Sequence, residues 1–229
     1  MRILLLGHGR MGRLVESLAP EYGAAVVAVI DEHSGADAIA RAGDADVAID
    51  FTLADAVPRN LPQLAARKLN VVIGTTGWQV QEDAMRAVAN AADIGVLAAS
   101  NFSLGMNIYQ LAVEEASRHF ANHPEFGAWI HEAHHVMKKD APSGTAITIR
   151  TGMERAGYAR PIDVSSTRAG HIPGTHTVGF DGPSETIAFT HTVRDRAVFA
   201  RGALVAAKWL VGKRGWFSIR DLLKAENRL

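Results

Sequence analysis

The sequence predicts an α/β protein whose second part is α+β in character. Three observations predict it. Short apolar runs of strand length alternate with helical stretches over the first hundred residues, the pattern of a parallel sheet covered on both faces. A G-x-G-x-x-G pattern, Gly7 to Gly12, falls between the first run and the first helix. After Ala99 the alternation stops, and β-branched stretches punctuated by Gly and Pro take over.

Residues 2–6 form the first apolar run. Residues 10–19 have helical spacing, with Met11, Leu14, Val15 and Leu18 on one face. Residues 24–30 and 47–50 read as buried strands. Residues 54–67 are helical in pattern, although Pro58 and Pro62 should kink or break them. A strand at 70–73, a helix at 79–91 and a strand at 94–98 complete the alternation. Beyond it, 104–120 reads as one long helix, 127–131 as a strand and 145–156 as a helix. Residues 163–167, 176–180 and 186–193 read as strands of a mixed or antiparallel sheet. A helix at 197–210 follows, then a short polar-edged tail.

Composition narrows the function. Lys plus Arg and Asp plus Glu each number 24, and the resulting zero charge argues against a nucleic-acid partner. The chain has no cysteine, which excludes a disulfide framework, a thiolate metal site and a cysteine nucleophile. No run approaches the roughly 18 apolar residues of a membrane span. Residues 1–6 are too short for a secretory signal. A cytoplasmic protein with no membrane partner is expected.

The glycine pattern has a definite physical reading in its strand–loop–helix context. Gly7 permits the tight turn, Gly9 lets a pyrophosphate approach the backbone, and Gly12 lets helix and strand pack closely. His8, Arg10 and Met11 complete the loop, and the helix start offers N–H groups to phosphate. In this context the pattern predicts a dinucleotide-phosphate site, the alternative being a glycine-rich turn with no ligand. Asp31 follows the second strand, 19 residues after Gly12, where a carboxylate reaches the adenosine ribose hydroxyls. No cation adjoins it before Arg41, so NADH is expected over NADPH. Gly74-Thr75-Thr76-Gly77 and Asp50-Phe51-Thr52 close the fourth and third strands, where ligands sit in such sheets; a plain turn explains either equally well.

Histidines crowd the second part: eight of ten lie between His119 and His191. His131, Glu132 and His135 spell H-E-x-x-H, a zinc-protease motif when helical. Here the preceding residues read as a strand, on which residues four apart stand roughly 13 Å apart, too far for two zinc–nitrogen bonds. No metal is expected. The same segment reads better as an anion site. His134, His135, Lys138 and Lys139 supply cations and proton donors. Ser143 is a good N-cap, and Gly144 and Thr145 present N–H groups to a carboxylate.

The run from Glu132 to Ala146, with His134-His135-x-x-Lys138-x-Asp140-Ala141-Pro142-Ser143-Gly144-Thr145, resembles the signature of the 4-hydroxy-tetrahydrodipicolinate (dihydrodipicolinate) reductase family. Asn101-Phe102-Ser103-x-Gly105, Arg168-x-Gly170, Gly174-x-His176 and His191 extend the resemblance over nearly the whole chain. It implies reduction of a cyclic dicarboxylate by NADH or NADPH in the diaminopimelate route to lysine. It implies His134 as the acid–base residue, Lys138 as the proton donor, and His135, Gly144 and Thr145 on the substrate carboxylates. The glycine loop, Asp31, Gly74, Thr75, Thr76, Ser100, Asn101, Phe102 and Ser103 would bind the dinucleotide. The implied fold is a Rossmann domain, residues 1–101 plus 203–229, interrupted by a substrate-binding and oligomerisation domain, residues 102–202, in a homotetramer. Asn101 and Gly202 would be the hinges.

Two departures stand out. The glycine loop is one residue shorter than the GxxGxxG of many members, and Glu32 stands where some carry an Arg that helps accept NADPH. Rival readings are another two-domain dehydrogenase, which would lack the HHxxKxDAPSGT run, and a dinucleotide-sensing regulator, for whose partner module the neutral charge and the used length leave little room.

Overall fold

The computed structural model describes residues 1–226. In chain order its elements are β1 (Arg2–Leu6), α1 (Arg10–Leu18), β2 (Ala25–Ile30), α2 (Ala38–Arg41), β3 (Val47–Asp50), α3 (Val57–Ala66), β4 (Val71–Ile73), α4 (Glu82–Ala92) and β5 (Gly95–Ala98). Then come α5 (Leu104–Phe120), β6 (Gly127–His134), α6 (Gly144–Arg155), β7 (Ile162–Arg168), β8 (Thr175–Asp181), β9 (Thr186–Thr192), α7 (Ala197–Leu210), β10 (Gly215–Phe217) and α8 (Ile219–Glu226). They form two compact units. One comprises Met1–Leu104 and the segment from Arg196 onward, the other Gly105–Asp195.

The first unit is a six-stranded, wholly parallel sheet in the order β10-β5-β4-β3-β1-β2. Alternate residues face opposite sides, so Leu4, Leu6, Ala48, Val71, Ile73 and Val96 pack against Leu61 and Leu64 of α3 and Met85 and Ala89 of α4. Helix α7, buried through Ala200, Ala203, Leu204 and Ala207, lies across β3, β4 and β5 and against α1. The strand order reverses at β1, which has β2 on one side and β3 on the other. Ligands of such sheets bind outside the carboxyl ends at that point.

Several expectations change here. α3 begins at Val57 rather than residue 54; it keeps Pro58 in its first turn, where no N–H is needed, and carries Pro62 inside. α4 starts at Glu82, after a 3-10 turn at Gln79–Gln81. The tail contains β10 and α8, which add a sixth strand and a covering helix. Gly202 is no hinge. It lies within α7, where a Cβ would overlap the Phe102 carbonyl oxygen, so all of α7 belongs to the first unit and the break falls at 195/196.

The second unit has a mixed sheet ordered β7-β6-β8-β9, with β6 parallel to β7 and antiparallel to β8, and β8 antiparallel to β9. Met106, Tyr109 and Val113 of α5, with Ala146, Ile149 and Met153 of α6, cover one face through Ala128, Ile130, Val178 and Phe180. β6 runs three residues past the expected end. Its alternation places Glu132 and His134 on that same covered face.

Candidate active site

In the first unit, β1 ends in the glycine loop. Gly7 has φ +88°, a conformation side chains resist, and its N–H donates to the Ile30 carbonyl at 2.7 Å, tying the loop to the end of β2. A Cβ at Gly12 would overlap the Gly7 carbonyl oxygen, whereas a Cβ at Gly9 would meet open space. Gly9 caps α1 with no side-chain hydrogen bond, so the helix start keeps its free N–H donors. A glycine that packs, a glycine that turns and a glycine left open are what a backbone-bound pyrophosphate requires. Arg10 is exposed, Met11 is half-buried, and the His8 ring meets Glu16 at 2.7 Å.

Asp31 follows β2 directly. Its Oδ1 accepts from the Ser34 hydroxyl and the His33 N–H, both at 3.0 Å, and these bonds hold its carboxyl below the usual range. Arg41, the nearest expected cation, pairs instead with Asp37 at 2.6 Å. These residues fit a dinucleotide.

Three expected cofactor residues turn inward. Thr75 is buried, and its hydroxyl donates to Asp50 Oδ1 at 3.0 Å. Asp50 also accepts from Thr52 and from Asn60, so it stitches the ends of β3 and β4 together. The Phe102 ring is buried, 6.2 Å from Phe51 edge to face. Ser103 is buried, and its N–H donates to Asn101 Oδ1 at 2.9 Å. The side chains of Thr75 and Phe102 thus serve the packing of the first unit. The Gly74 position is crowded by the Phe51 ring, while Thr76 and Ser100 are exposed. Beyond the carboxyl ends of β4, β5 and β10 lies a cleft of about 680 Å³, lined by Thr76, Ala98, Ser100 and Trp216 among others.

In the second unit, His134 and Glu132 stand two apart on β6 and share the buried face. Glu132 is fully buried, with one oxygen accepting from Arg168 at 2.7 Å and the other bound to His134 Nδ1. Burial alone would raise its carboxyl. Hydrogen bonds from Arg168, Ser166 and His134 outweigh burial and push it down to about 2. His134 is lowered from the ordinary histidine value by burial, partly offset by Glu132 and reinforced by the Lys138 and Arg168 charges.

The flanking loop is tied to the same group. Lys138 Nζ donates to both Asp140 oxygens at 2.8 and 2.9 Å, and Arg168 donates to the Asp140 carbonyl at 2.5 Å. Arg168 thus holds Glu132 and the Lys138 loop together. His176, on β8 opposite Glu132, meets the His134 ring at 5.1 Å edge to face and Ser143 Oγ at 3.2 Å. Ser143 caps α6 by accepting from the Ala146 N–H at 3.2 Å, which leaves exposed Gly144 and half-buried Thr145 at the helix start. His135, past the end of β6, is half-buried.

Glu132, Arg168 and His176 were not assigned catalytic or binding roles from sequence, and Ser143 was read only as the α6 N-cap. The signal for Glu132 was its two-residue spacing from His134 on one strand. His131 points to the opposite face, where Nδ1 meets Ser165 at 2.8 Å, so the H-E-x-x-H residues are split between faces. Glu132, His134 and His176 do bring ligand-type atoms within 4.8 Å of one another. Both Glu132 oxygens are already taken and two cationic side chains adjoin the group, so it favours holding a proton over a metal ion.

The family model for the N-terminus of dihydrodipicolinate reductase matches residues 1–102, and that for its C-terminus matches residues 105–223. The chain belongs to the dihydrodipicolinate reductase family. As a member it is an NAD(P)H-dependent oxidoreductase of the diaminopimelate and lysine route. It is 37% identical to the 4-hydroxy-tetrahydrodipicolinate reductase of Archaeoglobus fulgidus, over 98% of this chain and 100% of that one. It is 35% identical to that of Caldanaerobacter subterraneus, over 98% of each. The fold matches a dipicolinate-bound dihydrodipicolinate reductase from Paenisporosarcina with a TM-score of 0.82 and 19% identity, over 95% of this chain and 97% of that one. The family expectation and the α/β class with a mixed-sheet second domain are thereby borne out.

Proposed function

We propose that, in reducing 4-hydroxy-tetrahydrodipicolinate to tetrahydrodipicolinate, His134 serves as the acid–base residue and Lys138 as the proton donor. The buried bond from His134 to Glu132 carries this reading, because it leaves one ring nitrogen fixed and the other available. His135 and the α6 start at Gly144 and Thr145 hold the substrate carboxylates by positive charge and N–H groups. Lys138 polarises the ring nitrogen and stabilises charge that develops there. The glycine loop, Asp31, Gly74 to Thr76 and Ser100 to Ser103 hold the dinucleotide, which supplies a hydride when bound. The test is NADH oxidation with the condensation product of pyruvate and aspartate semialdehyde, with NADPH run beside it. Turnover with neither would overturn the reading.

NADH is the preferred cofactor in this proposal. Asp31 accepts from the free ribose 2′-hydroxyl and, with Glu32 beside it, repels a 2′-phosphate. Asp31→Ala is expected to weaken NADH binding about tenfold and NADPH binding less. Equal loss for both would remove Asp31 from the ribose.

The uncovered face of the second sheet supports the homotetramer that the family resemblance implies. There Thr175 meets Thr192 and Thr177 meets Thr190 in cross-strand hydroxyl pairs at 3.2 and 3.0 Å. Light scattering is expected to give about four times the 24.5 kDa chain mass; a monomer mass would overturn it. A cytoplasmic location accords with a biosynthetic reductase, and no helix among the described residues is long and apolar enough to cross a membrane.

A further inference from the structure

We propose that Glu132, held by Arg168, is a positioning residue that fixes the His134 ring with Nδ1–H on the carboxylate and Nε2 free to exchange the substrate's proton. The inference rests on the assignment of His134 as the acid–base residue.

The geometry allows few alternatives. Glu132 is fully buried and ionised, so it only accepts hydrogen bonds. Arg168 only donates, and it occupies Oε1 at 2.7 Å. Oε2 then faces His134 Nδ1, which must carry a hydrogen. In the neutral ring the acceptor is therefore Nε2. That atom faces Gly174, where a Cβ would come within 3.1 Å of it. Gly174 has φ +147° and keeps the space before Nε2 clear. The other charged or titratable groups around the ring are Lys138 from the loop, Arg168 from β7 and His176 from β8. None of these is an anion, so Glu132 alone sets the tautomer. In the proton exchange assigned to His134, Nε2 alone gains and loses the proton, and Nδ1–H stays on Glu132 throughout.

Glu132→Gln tests this sharply. The amide has one acceptor oxygen and one NH2. Arg168 claims the oxygen, so the NH2 faces Nδ1 and forces the proton onto Nε2. Turnover is expected to fall on the order of 10²–10⁴-fold, with the KM for NADH within about twofold of the parent. In protein labelled with ¹⁵N-histidine, the His134 ring is expected to show the Nδ1–H tautomer in the parent and Nε2–H in Glu132→Gln. Its titration midpoint should also move to lower pH once the carboxylate charge is gone. The His134 signals are identified by their loss in His134→Gln. The parent spectrum does not depend on the folding of Glu132→Gln, and an Nε2–H tautomer there would overturn the proposal. So would parental turnover in Glu132→Gln beside an inactive His134→Gln. Parental turnover in His134→Gln would instead defeat the acid–base assignment itself.

Discussion

His134→Gln is expected to lower turnover by about 10²–10⁴-fold, the usual size of a lost acid–base group. The glutamine amide keeps part of the ring's volume and can still bond to Glu132, so the second unit should fold. The dinucleotide residues all lie in the first unit, and the KM for NADH is expected to stay near the parental value. The loss should therefore appear in kcat, as an interaction made chiefly in the transition state would. The protonation state supports the assignment. Burial lowers His134 below the ordinary histidine value, and Glu132 opposes that fall. A dicarboxylate beside the ring adds negative charge and favours the imidazolium further. The ring is thus placed to gain its proton as substrate arrives and to give it up in the reaction. Stopped-flow or steady-state NADH oxidation measures the effect, and unchanged turnover would remove His134 from the chemistry.

Much of the first unit was legible because it follows local rules. β1, the glycine loop and α1 are adjacent in sequence, and Gly7 and Gly12 each meet a steric demand visible in the motif. The strand at Val47–Asp50 is a short apolar run closed by an acidic residue. What stayed hidden depends on long-range pairing. β10 has three residues and gains its identity only by pairing with β5, some 120 residues earlier in the chain. The last part of β6 escaped because Glu132 and His134 are polar at buried positions, so period-two patterning of apolar residues breaks down there. Their burial is tolerable only because Arg168, 36 residues away in sequence, supplies the matching charge. Thr75 was read as a ligand residue from its place in a loop at a strand end, and Phe102 from the family resemblance. The fold instead turns their side chains onto Asp50 and Phe51.

The stability of the protein is expected to fall as the pH drops from 6.5 toward 4, with His176 as a main cause. His176 is buried, its Nε2 meets Ser143 and its Nδ1 has no hydrogen-bond partner. Burial first, then the neighbouring His134 charge, pushes it down from 6.5 to about 4; Glu132 opposes the shift, and His191 and Lys138 add to it. The unfolded chain takes up this proton near 6.5, while the folded chain resists it until about 4. Between those values the unfolded state binds more protons, so stability rises with pH and is lost on acidification. At pH 5 the loss from this one group amounts to about 2 kcal/mol relative to pH 7. His176→Gln has no titrating ring and retains a donor for Ser143. Urea midpoints at pH 7 and pH 5 are expected to differ by about 2 kcal/mol less in this variant than in the parent. The residual acid loss comes from His134 and His191, which burial also lowers. Equal losses in both proteins would mean that His176 protonates as easily folded as unfolded. A neutral His176 also matters to the site. A second imidazolium 5.1 Å from His134 would disfavour the charged form on which proton donation depends.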